Sequence, residues 1–347
     1  MPKAAKALVE SFRECSLPVG KVVSLLDGKA VGFDERDCYN HLGKNKAYKT
    51  PVEGDANAMA QFFCKKQAKD PQFFYAILLD KESRGVNFLW IDGRSRSQYQ
   101  HFGDVLYFDT TYKKNVYKMP FAPFTGVNHH LQSIQFGCAL LLDETEESFV
   151  WAFETWLRAM GGKAPKAMIT DQDPAMSKAA ARVFLDIRHR FFLWHVMKKF
   201  PERLNQVYKK DSKFKKQMKW CIRGSYRIVD FEKRWNELMV MYNLTENPWL
   251  KHIYDIRNKW VPIYHLDTFY AGMNTTGRSE GMNSIYKGFF SRHTTLREFA
   301  LKNEQSLERM VVREKKKIIS LSTRTGLWMV RLISYNLLQN YTQGGCM

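Results

Sequence analysis

A series of short apolar runs in the middle of the chain sets the fold class. Between residues 73 and 142 these runs are rich in β-branched and aromatic residues and are bounded by Gly, Asp and Lys, which is typical of β-strands. The runs read FFYAILLD, VNFLWID, DVLYFDTTY, PFAPFTGVN and SIQFGCALLL. We therefore expect a sheet that begins near Phe73.

Helix and strand patterns alternate after this series. The segment ESFVWAFETWLRAMGG repeats large apolar residues at helical spacing and ends at Gly161, which predicts an amphipathic helix with its aromatic stripe in the core. AMITD predicts a strand, PAMSKAAARVF a helix, and HRFFLWHV a last strand that runs into a helix. This order predicts an α/β protein with a ribonuclease H-like core, a mixed sheet with flanking helices.

Three carboxylates stand at the boundaries of these predicted elements. Asp109 and Asp171 each close an apolar run, and Glu280 opens a helix after a long basic interval. Carboxylates gathered from strand ends and a distant helix suit two hard cations about 4 Å apart, as two-metal phosphoryl transfer requires. The pattern indicates nucleic-acid strand chemistry, or descent from a protein that performed it.

Four segments are predicted along the chain. The first reads as helical pieces, and its three earliest pieces fit either a helix-turn-helix-like unit or a helical prelude to the next domain. After His195 the strand patterns stop, and the sequence becomes mostly helical and basic. The predicted segments are an N-terminal helical segment 1–70, a sheet-containing core 71–197, a basic helical insertion 198–275, and the Glu280 helix with C-terminal helices 276–347.

The strong positive charge of the chain implies a polyanionic partner. The formal net charge is +19, and Lys or Arg contacts to phosphate supply affinity that does not depend on base sequence. From Lys198 to Arg223, ten Lys or Arg residues stand against only Glu202 and Asp211, with aromatic residues between them. This interval predicts a DNA-contacting surface. Its candidate contact residues are Lys198, Lys199, Lys209, Lys210, Lys213, Lys215, Lys216, Lys219 and Arg223.

Cysteine spacing and hydropathy exclude other classes of protein. The six cysteines form no CxxC pair, so neither a zinc motif nor a dithiol redox motif is visible. Isolated cysteines without a signal peptide fit a reducing compartment, and the charge favours the nucleus. No apolar run approaches the roughly 18 residues of a membrane helix, so no membrane association is expected.

Three long strings, in this order, resemble a known family. They are YFDTTYKKNVYKMPFAPFTGVNHH, FGCALLLDETEESFVWAFETWLRAMGGKAPKAMITDQDPAM and DTFYAGMNTTGRSEGMNS. The chain resembles the transposase domain of Mutator-like elements (MULE), and in particular the plant far-red-impaired-response family, from about Leu8 to Glu314. The resemblance implies descent from a transposase and recruitment as a transcription regulator in light signalling.

The resemblance also implies roles for individual residues. Asp109, Asp171 and Glu280 take the places of the family's acidic triad, which would bind Mg²⁺ or Mn²⁺. His195 takes the place of the His in a Cys-x-x-His element whose Cys position is Phe192 here, so we expect His195 to line the site. On the residues alone, Asp173 competes with Asp171 and could instead cap the following helix.

Zinc-binding modules typical of the family have no motif in this chain. The family carries an N-terminal zinc finger for DNA binding and a C-terminal SWIM zinc finger, so zinc binding is a family property that is not expected here. The first expected function is a nuclear, DNA-associated regulator that does not catalyse a reaction and that forms homo- or hetero-oligomers with related proteins. The alternatives are an active Asp-Asp-Glu DNA transposase and a truncated member that only dimerises with full-length relatives.

Overall fold

The computed structural model describes residues 54–110, 115–270, 286, 289–316 and 319, apart from the side chains of residues 209 and 210. The chain divides into two compact units, residues 1–61 and 62–347. Of the first unit, residues 54–61 are described, and they contain the beginning of a helix. The helices predicted within residues 1–50, and the helix predicted at Glu280, lie outside the described residues.

The elements follow the predicted alternation of strands and helices. The strands are β1 Phe74–Leu79, β2 Gly85–Ile91, β3 Val105–Phe108, β4 Phe121–Val127, β5 Ser133–Leu140, β6 Ala167–Thr170 and β7 Arg188–Phe191. The helices are α1 Asp55–Lys69, α2 Gly93–Phe102, α3 Glu146–Ala159, α4 Pro174–Val183, α5 Leu193–Arg203, α6 Asn205–Lys210, α7 Ser212–Arg223, α8 Ile228–Met241 and α9 Pro248–Asp255. Two 3-10 turns, Arg257–Lys259 and Pro262–His265, come next, and residues 296–316 are helical.

The strands form one mixed sheet in the order β1-β2-β5-β4-β3-β6-β7. The pairs β1–β2, β2–β5, β5–β4 and β4–β3 are antiparallel, whereas the pairs β3–β6 and β6–β7 are parallel. A parallel neighbour requires a crossover connection, and α3 and α4 lie within the two crossovers. The α/β class expected from the sequence is confirmed.

The predicted aromatic stripe of α3 fills the core on one face of the sheet. Trp156 is fully buried, its ring stacks on Phe124 of β4 at a centroid distance of 5.0 Å, and its Nε1 donates to the Phe136 carbonyl at 3.2 Å. Phe149 and Phe153 of the same helix are also buried in this core. Because the strands bury side chains on both faces, their sequences read as nearly continuous apolar runs.

Residue 286 and residues 289–316 cover part of the opposite face of the sheet. Asn303 accepts hydrogen bonds from Trp90 Nε1 of β2 at 3.2 Å and from Gln135 Nε2 of β5 at 3.4 Å. The hydroxyl of Tyr286 donates to the Gln135 side chain, and Phe290 and Tyr286 both pack on Phe121 of β4. Buried amides of this kind fix the register of the helical segment on the sheet, because each one needs a specific partner.

A second core joins the helices that follow β7. It contains residues from α5, α7, α8 and α9, and Trp260 is fully buried within it. The indole Nε1 of Trp260 donates to the Ile253 carbonyl at 2.9 Å. The 3-10 region then returns to the sheet, where the Tyr107 hydroxyl of β3 donates to the Tyr270 carbonyl at 3.0 Å. Helices and 3-10 turns therefore follow one another from α5 to His265, the kind of structure that the sequence predicts after His195.

Helix α2 is an element that the sequence pattern did not predict. Its sequence, GRSRSQYQHF, has few apolar residues, and of these Tyr99 is buried against the sheet. The helix begins where the Asp92 side chain accepts a hydrogen bond from Ser95 N at 2.7 Å. This cap was the available sequence signal, because Asp is a preferred N-cap residue.

Removal of the Trp156 side chain should destabilise the protein strongly. Trp156→Ala would delete a fully buried indole and its hydrogen bond, so we expect a loss of about 3–5 kcal/mol in the free energy of unfolding, measured by urea titration with circular dichroism. Glu154→Ala, at an exposed position of the same helix, is the control and should change stability by about 0.5 kcal/mol or less. Equal effects from the two substitutions would contradict the packing described above.

Candidate acidic site and basic surface

Parallel pairing brings Asp109 and Asp171 to the same edge of the sheet. Phe108, the last residue of β3, pairs with Thr170, the last residue of β6. Asp109 and Asp171 follow these two residues directly, so they leave the sheet side by side on strands that lie about 4.8 Å apart. Both side chains are half-buried. The register of this one strand pair thus brings together two carboxylates that are 62 residues apart in the sequence.

His195 reaches the same edge from the neighbouring strand. Phe191 at the end of β7 pairs with Thr170, and the chain then turns into α5. This turn places His195 Nδ1 3.5 Å from Asp171 Oδ2. Phe192, in the Cys position of the family element, is buried, and its ring lies 5.5 Å from the His195 ring and 6.4 Å from that of Tyr107. The apolar Phe192 therefore supports the His195 ring by packing.

The environment of Asp109 opposes its ionisation. The pKa of the Asp109 carboxyl is raised to about 6, chiefly by burial; a positive charge on His195 would lower it, and the nearby carboxylates of Asp171 and Glu144 also contribute to the rise. An isolated Asp ionises near pH 4, so Asp109 is held in a site that disfavours its negative charge. Shifts of this kind are concentrated at functional sites because burial and like charges are gathered there.

Glu144 is a carboxylate of this region that the sequence analysis did not select. It lies between β5 and α3, and β5 ends at the same edge of the sheet as β3. The Thr110 hydroxyl donates to Glu144 Oε1 at 2.7 Å, which ties this loop to the end of β3. Glu144 stands in the acidic string DETEE, which reads as an ordinary helix beginning, so the sequence alone gave no signal for it.

Two side chains hold the strand end that carries Asp171. The Thr170 hydroxyl donates to the Asp171 carbonyl at 2.8 Å, and His189 Nε2 lies 2.8 Å from the same hydroxyl oxygen. Burial lowers the pKa of His189 to about 4, so the ring is neutral at pH 7. Since the single hydroxyl hydrogen of Thr170 is already used, His189 Nε2 carries the hydrogen and donates it. The end of β6 is therefore fixed by hydrogen bonds on both sides of Thr170.

Asp173 has a different role from Asp171. Its side chain accepts a hydrogen bond from Met176 N at 2.8 Å and caps the N-terminus of α4, with Pro174 in the first turn. This is the alternative that the sequence left open for the Asp171–Asp173 pair. Asp171 is thus the member of the pair that remains available at the sheet edge, and it lies beside His195.

The acidic side chains fit a divalent cation in their chemistry. Asp109 and Asp171 offer carboxylate oxygens, the ligands that Mg²⁺ and Mn²⁺ prefer, and a cation between them would favour the ionised form of Asp109, whose pKa is raised by burial and by the neighbouring carboxylates. Within the described ranges, no three His, Cys, Asp or Glu side chains already form a metal-binding group. Glu280, the third residue predicted for the site, lies outside the described residues.

Comparison with known proteins places these residues in a family domain. Residues 105–199, from β3 into α5, match the MULE transposase domain. Protein FAR1-RELATED SEQUENCE 5 of Arabidopsis thaliana is 38% identical over 317 residues, which are 90% of this chain and 40% of that protein. Protein FAR-RED IMPAIRED RESPONSE 1 of the same plant is 42% identical over 265 residues, 76% of this chain and 32% of that protein.

The chain is related to the far-red-impaired-response proteins and carries a MULE transposase domain. It spans less than half the length of either relative. Asp109, Asp171 and His195 all lie within the matched MULE domain. The resemblance that the sequence motifs indicated is confirmed.

Beyond the MULE domain, α7 carries exposed cations on one side. Its buried residues are Phe214, Met218, Cys221 and Ile222. The opposite side presents Lys216, Lys219 and Arg223, which are exposed and follow one another at intervals of three or four residues; we term these three residues the basic face of α7. No described carboxylate forms an ion pair with any of the three. The basic face therefore keeps its full charge for a partner.

The other predicted DNA-contacting residues have varied surroundings. Lys198, Lys213 and Lys215 are exposed, and Lys215 Nζ lies 5.8 Å from the ring centroid of Tyr208. Lys199 is half-buried, and its Nζ donates to Gln172 Oε1 at 3.0 Å, next to Asp171. The side chains of Lys209 and Lys210 lie outside the described part of the structure.

We term the end of the sheet that carries Asp109 and Asp171 the acidic edge. It is separate from a cavity of about 250 Å³ elsewhere in the molecule. That cavity is formed by α2, the β4–β5 turn and the helical segment 296–316, and its lining includes Asp92, Arg94 and Glu314 but none of the acidic-site residues. Of the helices described, none is both long and apolar enough to span a bilayer.

Replacement of Asp109 by Asn should stabilise the protein at neutral pH and not at acidic pH. Because the folded state raises the pKa of Asp109 from about 4 to about 6, the wild type loses stability as the pH rises through this range, and Asn does not. We expect Asp109→Asn to raise the free energy of unfolding by about 1 kcal/mol at pH 7.5 and by almost nothing at pH 4. The gain is smaller than the full free energy of a shift of about two pKa units, because the site is partly open to solvent.

Thermal unfolding at both pH values measures this difference. Asp104→Asn is the matched control, since Asp104 is exposed at the other end of β3, and it should show no such gain on going to neutral pH. A stability difference for Asp109→Asn that is the same at pH 4 and pH 7.5 would show that the carboxyl is not held in an unfavourable site.

Proposed function

We propose that this chain is a transposase-derived, DNA-associated regulator that acts in the nucleus. Its similarity to Protein FAR-RED IMPAIRED RESPONSE 1 and Protein FAR1-RELATED SEQUENCE 5 supports this family of functions. The resemblance in sequence motifs further implies transcription regulation in light signalling. A ribonuclease H-like core fits the mixed sheet, because acidic residues of that fold gather at neighbouring strand ends, as Asp109 and Asp171 do.

The basic face of α7 is the observation that carries the proposed DNA association. Lys216, Lys219 and Arg223 are exposed and have no acidic partner among the described residues. Three cations without an acidic partner on one helix face are suited to contact the phosphates of a nucleic-acid backbone, and each such contact releases counterions. The remaining excess of charge, +19 over the chain, would attract DNA at long range.

Charge reversal on the basic face should weaken DNA binding and reduce its dependence on salt. For Lys216→Glu/Lys219→Glu/Arg223→Glu, loss of three phosphate contacts would reduce the slope of log K against log salt concentration by about 2.7, since each contact contributes about 0.9. Fluorescence anisotropy with a 20-base-pair duplex over a series of NaCl concentrations measures this slope.

A charge-matched variant separates the basic face from total charge. Lys65→Glu/Lys69→Glu/Lys81→Glu changes three exposed lysines at the β1 edge of the sheet, opposite the β7 edge that leads into α5. This control should leave the slope near the wild-type value. Equal reductions in both variants would mean that overall charge, rather than the basic face, governs DNA binding.

The acidic edge favours a second candidate function, DNA strand cleavage and transfer. Asp109 and Asp171 would hold Mg²⁺ or Mn²⁺, and a bound ion of this kind supplies Lewis-acid stabilisation for phosphoryl transfer. His195 would orient Asp171, since its Nδ1 lies 3.5 Å from Asp171 Oδ2. Glu280 is proposed as the third member of the site by resemblance to the family triad.

Metal binding at the acidic edge can be measured without any assumption about catalysis. Titration of Mn²⁺ into the purified chain by calorimetry should show binding that Asp109→Asn/Asp171→Asn abolishes, because both carboxylates would contribute oxygen ligands. Bound Mn²⁺ should also raise the thermal stability of the wild type at pH 7.5 and not that of the double variant. Binding that survives in the double variant would place the cation elsewhere.

Strand cleavage needs its own assay because a metal site can persist without activity. A Mn²⁺-dependent nick in supercoiled DNA that is lost in Asp109→Asn/Asp171→Asn would favour the transposase function. Metal binding without cleavage would favour the regulator.

Assembly with a second copy or with related proteins is a further proposal from the family resemblance, and light scattering of the purified chain tests the homo-oligomer.

A further inference from the structure

An exposed indole lies within the basic face of α7. Trp220 is 58% exposed, although it lies on a helix whose other apolar side chains are buried. Lys216 precedes it by four residues and Arg223 follows it by three, so both cations are its neighbours on the helix surface. Tyr226, in the turn after α7, is 86% exposed. Aromatic side chains and cations thus share one surface.

Contacts from α8 brace one face of the Trp220 ring. The guanidinium carbon of Arg234 lies 3.4 Å from the ring centroid. Arg234 Nη1 in turn donates to the Gly224 carbonyl at 2.8 Å and to Ser225 Oγ at 3.1 Å, which anchors the guanidinium. A cation stacked on an indole is attracted by its π-electrons. Since Trp220 is 58% exposed although Arg234 covers one face of its ring, the uncovered part of the indole is accessible to a partner.

Gly224 is required for this arrangement. A Cβ atom at this position would lie 2.7 Å from Trp220 Cδ1, closer than real Cβ contacts allow. The absence of a side chain lets the turn after α7 pass directly beside the indole. Trp220 is therefore held in an exposed position by Arg234 on one side and by a close backbone approach, so it needs little further ordering when a partner binds.

The surrounding charge selects the kind of partner. The core of a protein–protein interface is usually depleted of charged residues, and a two-fold interface with a second copy would bring the basic faces together. A nucleic-acid strand instead offers phosphates to the cations and an apolar base to the indole. Bases within a duplex are already stacked on both sides, so the open indole face requires an unpaired base.

We propose that Trp220, braced by Arg234, stacks on an unpaired base of single-stranded DNA while Lys216, Lys219 and Arg223 contact its phosphates. This inference rests on the proposed DNA association of the basic face. It adds a base-stacking site that distinguishes unpaired from paired DNA. No covalent step is involved, and the specificity is for the unpaired state rather than for base sequence.

Three ligands of equal length test the stacking site. They are the oligonucleotide dT20, the same backbone with abasic residues, and a 20-base-pair duplex, each measured by fluorescence anisotropy at one salt concentration. The wild type should bind dT20 about tenfold more tightly than the abasic strand, within the range of roughly 5- to 150-fold expected for one stacked base. Trp220→Ala should lose this preference and leave duplex affinity unchanged, whereas Trp220→Phe should retain part of it.

Controls keep this inference distinct from the proposed function. Phe269→Ala removes a ring that is 70% exposed on a different element, and it should leave the dT20 preference intact. Weaker binding of all three ligands by Lys216→Glu/Lys219→Glu/Arg223→Glu, together with loss of the dT20 preference in Trp220→Ala but not in Phe269→Ala, supports both proposals.

Other outcomes overturn the inference. If the wild type binds duplex and abasic strand but shows no preference for dT20, the stacking site is absent while DNA association stands. If Trp220→Ala weakens the binding of all three ligands equally, the ring supports the fold or the arrangement of the basic face and does not stack on a base. If it changes the molar mass in light scattering, the indole belongs to a contact between protein chains. If the wild type binds none of the ligands, the proposed DNA association fails together with the stacking site.

Discussion

The in-register parallel pairing of β3 with β6 is the constraint on which the acidic site depends. Phe108 and Thr170 are the last paired residues of their strands, and the following residues are Asp109 and Asp171. A shift of one residue in this register would turn every side chain of a strand to the other face and would separate the carboxylates. The apolar residues on both faces resist such a shift, because each face is buried in its own core.

The cost of gathering carboxylates is visible in the electrostatics of the edge. Burial and the charges of Asp171 and Glu144 raise the pKa of Asp109 to about 6, so the folded protein is less stable with Asp109 ionised than with it protonated. Hydrogen bonds from His189 and Thr170 fix the neighbouring strand end, which carries Asp171. Sites for cations or for proton transfer typically gather negative charge in this way, although it lowers the stability of the folded protein.

The helical part of the chain has the opposite charge, and its arrangement rests on a separate core. Trp260, Phe200 and Phe214 are among the buried residues that hold α5 to α9 together, which leaves the outer side of α7 free for Lys216, Lys219 and Arg223. Arg234 of α8 reaches Trp220 because α7 and α8 pack against each other in this core. The acidic edge and the basic face thus lie on elements fixed by different sets of contacts.

The amino-acid sequence by itself determined the succession of strands and helices, the acidic residues at strand ends and the excess of charge. Strand composition, the aromatic stripe of α3 and the Asp173 cap are local properties, so they could be recognised along the chain. Helix α2 was missed because its polar sequence has only a weak apolar period, and its Asp92 cap was the one local signal. Tertiary structure decided that His195, which the family resemblance placed at the site, lies beside Asp171, that Glu144 comes near Asp109, and that Arg234 covers one face of Trp220. These are contacts between residues far apart in the chain, and they depend on strand order and helix packing, which no local pattern encodes.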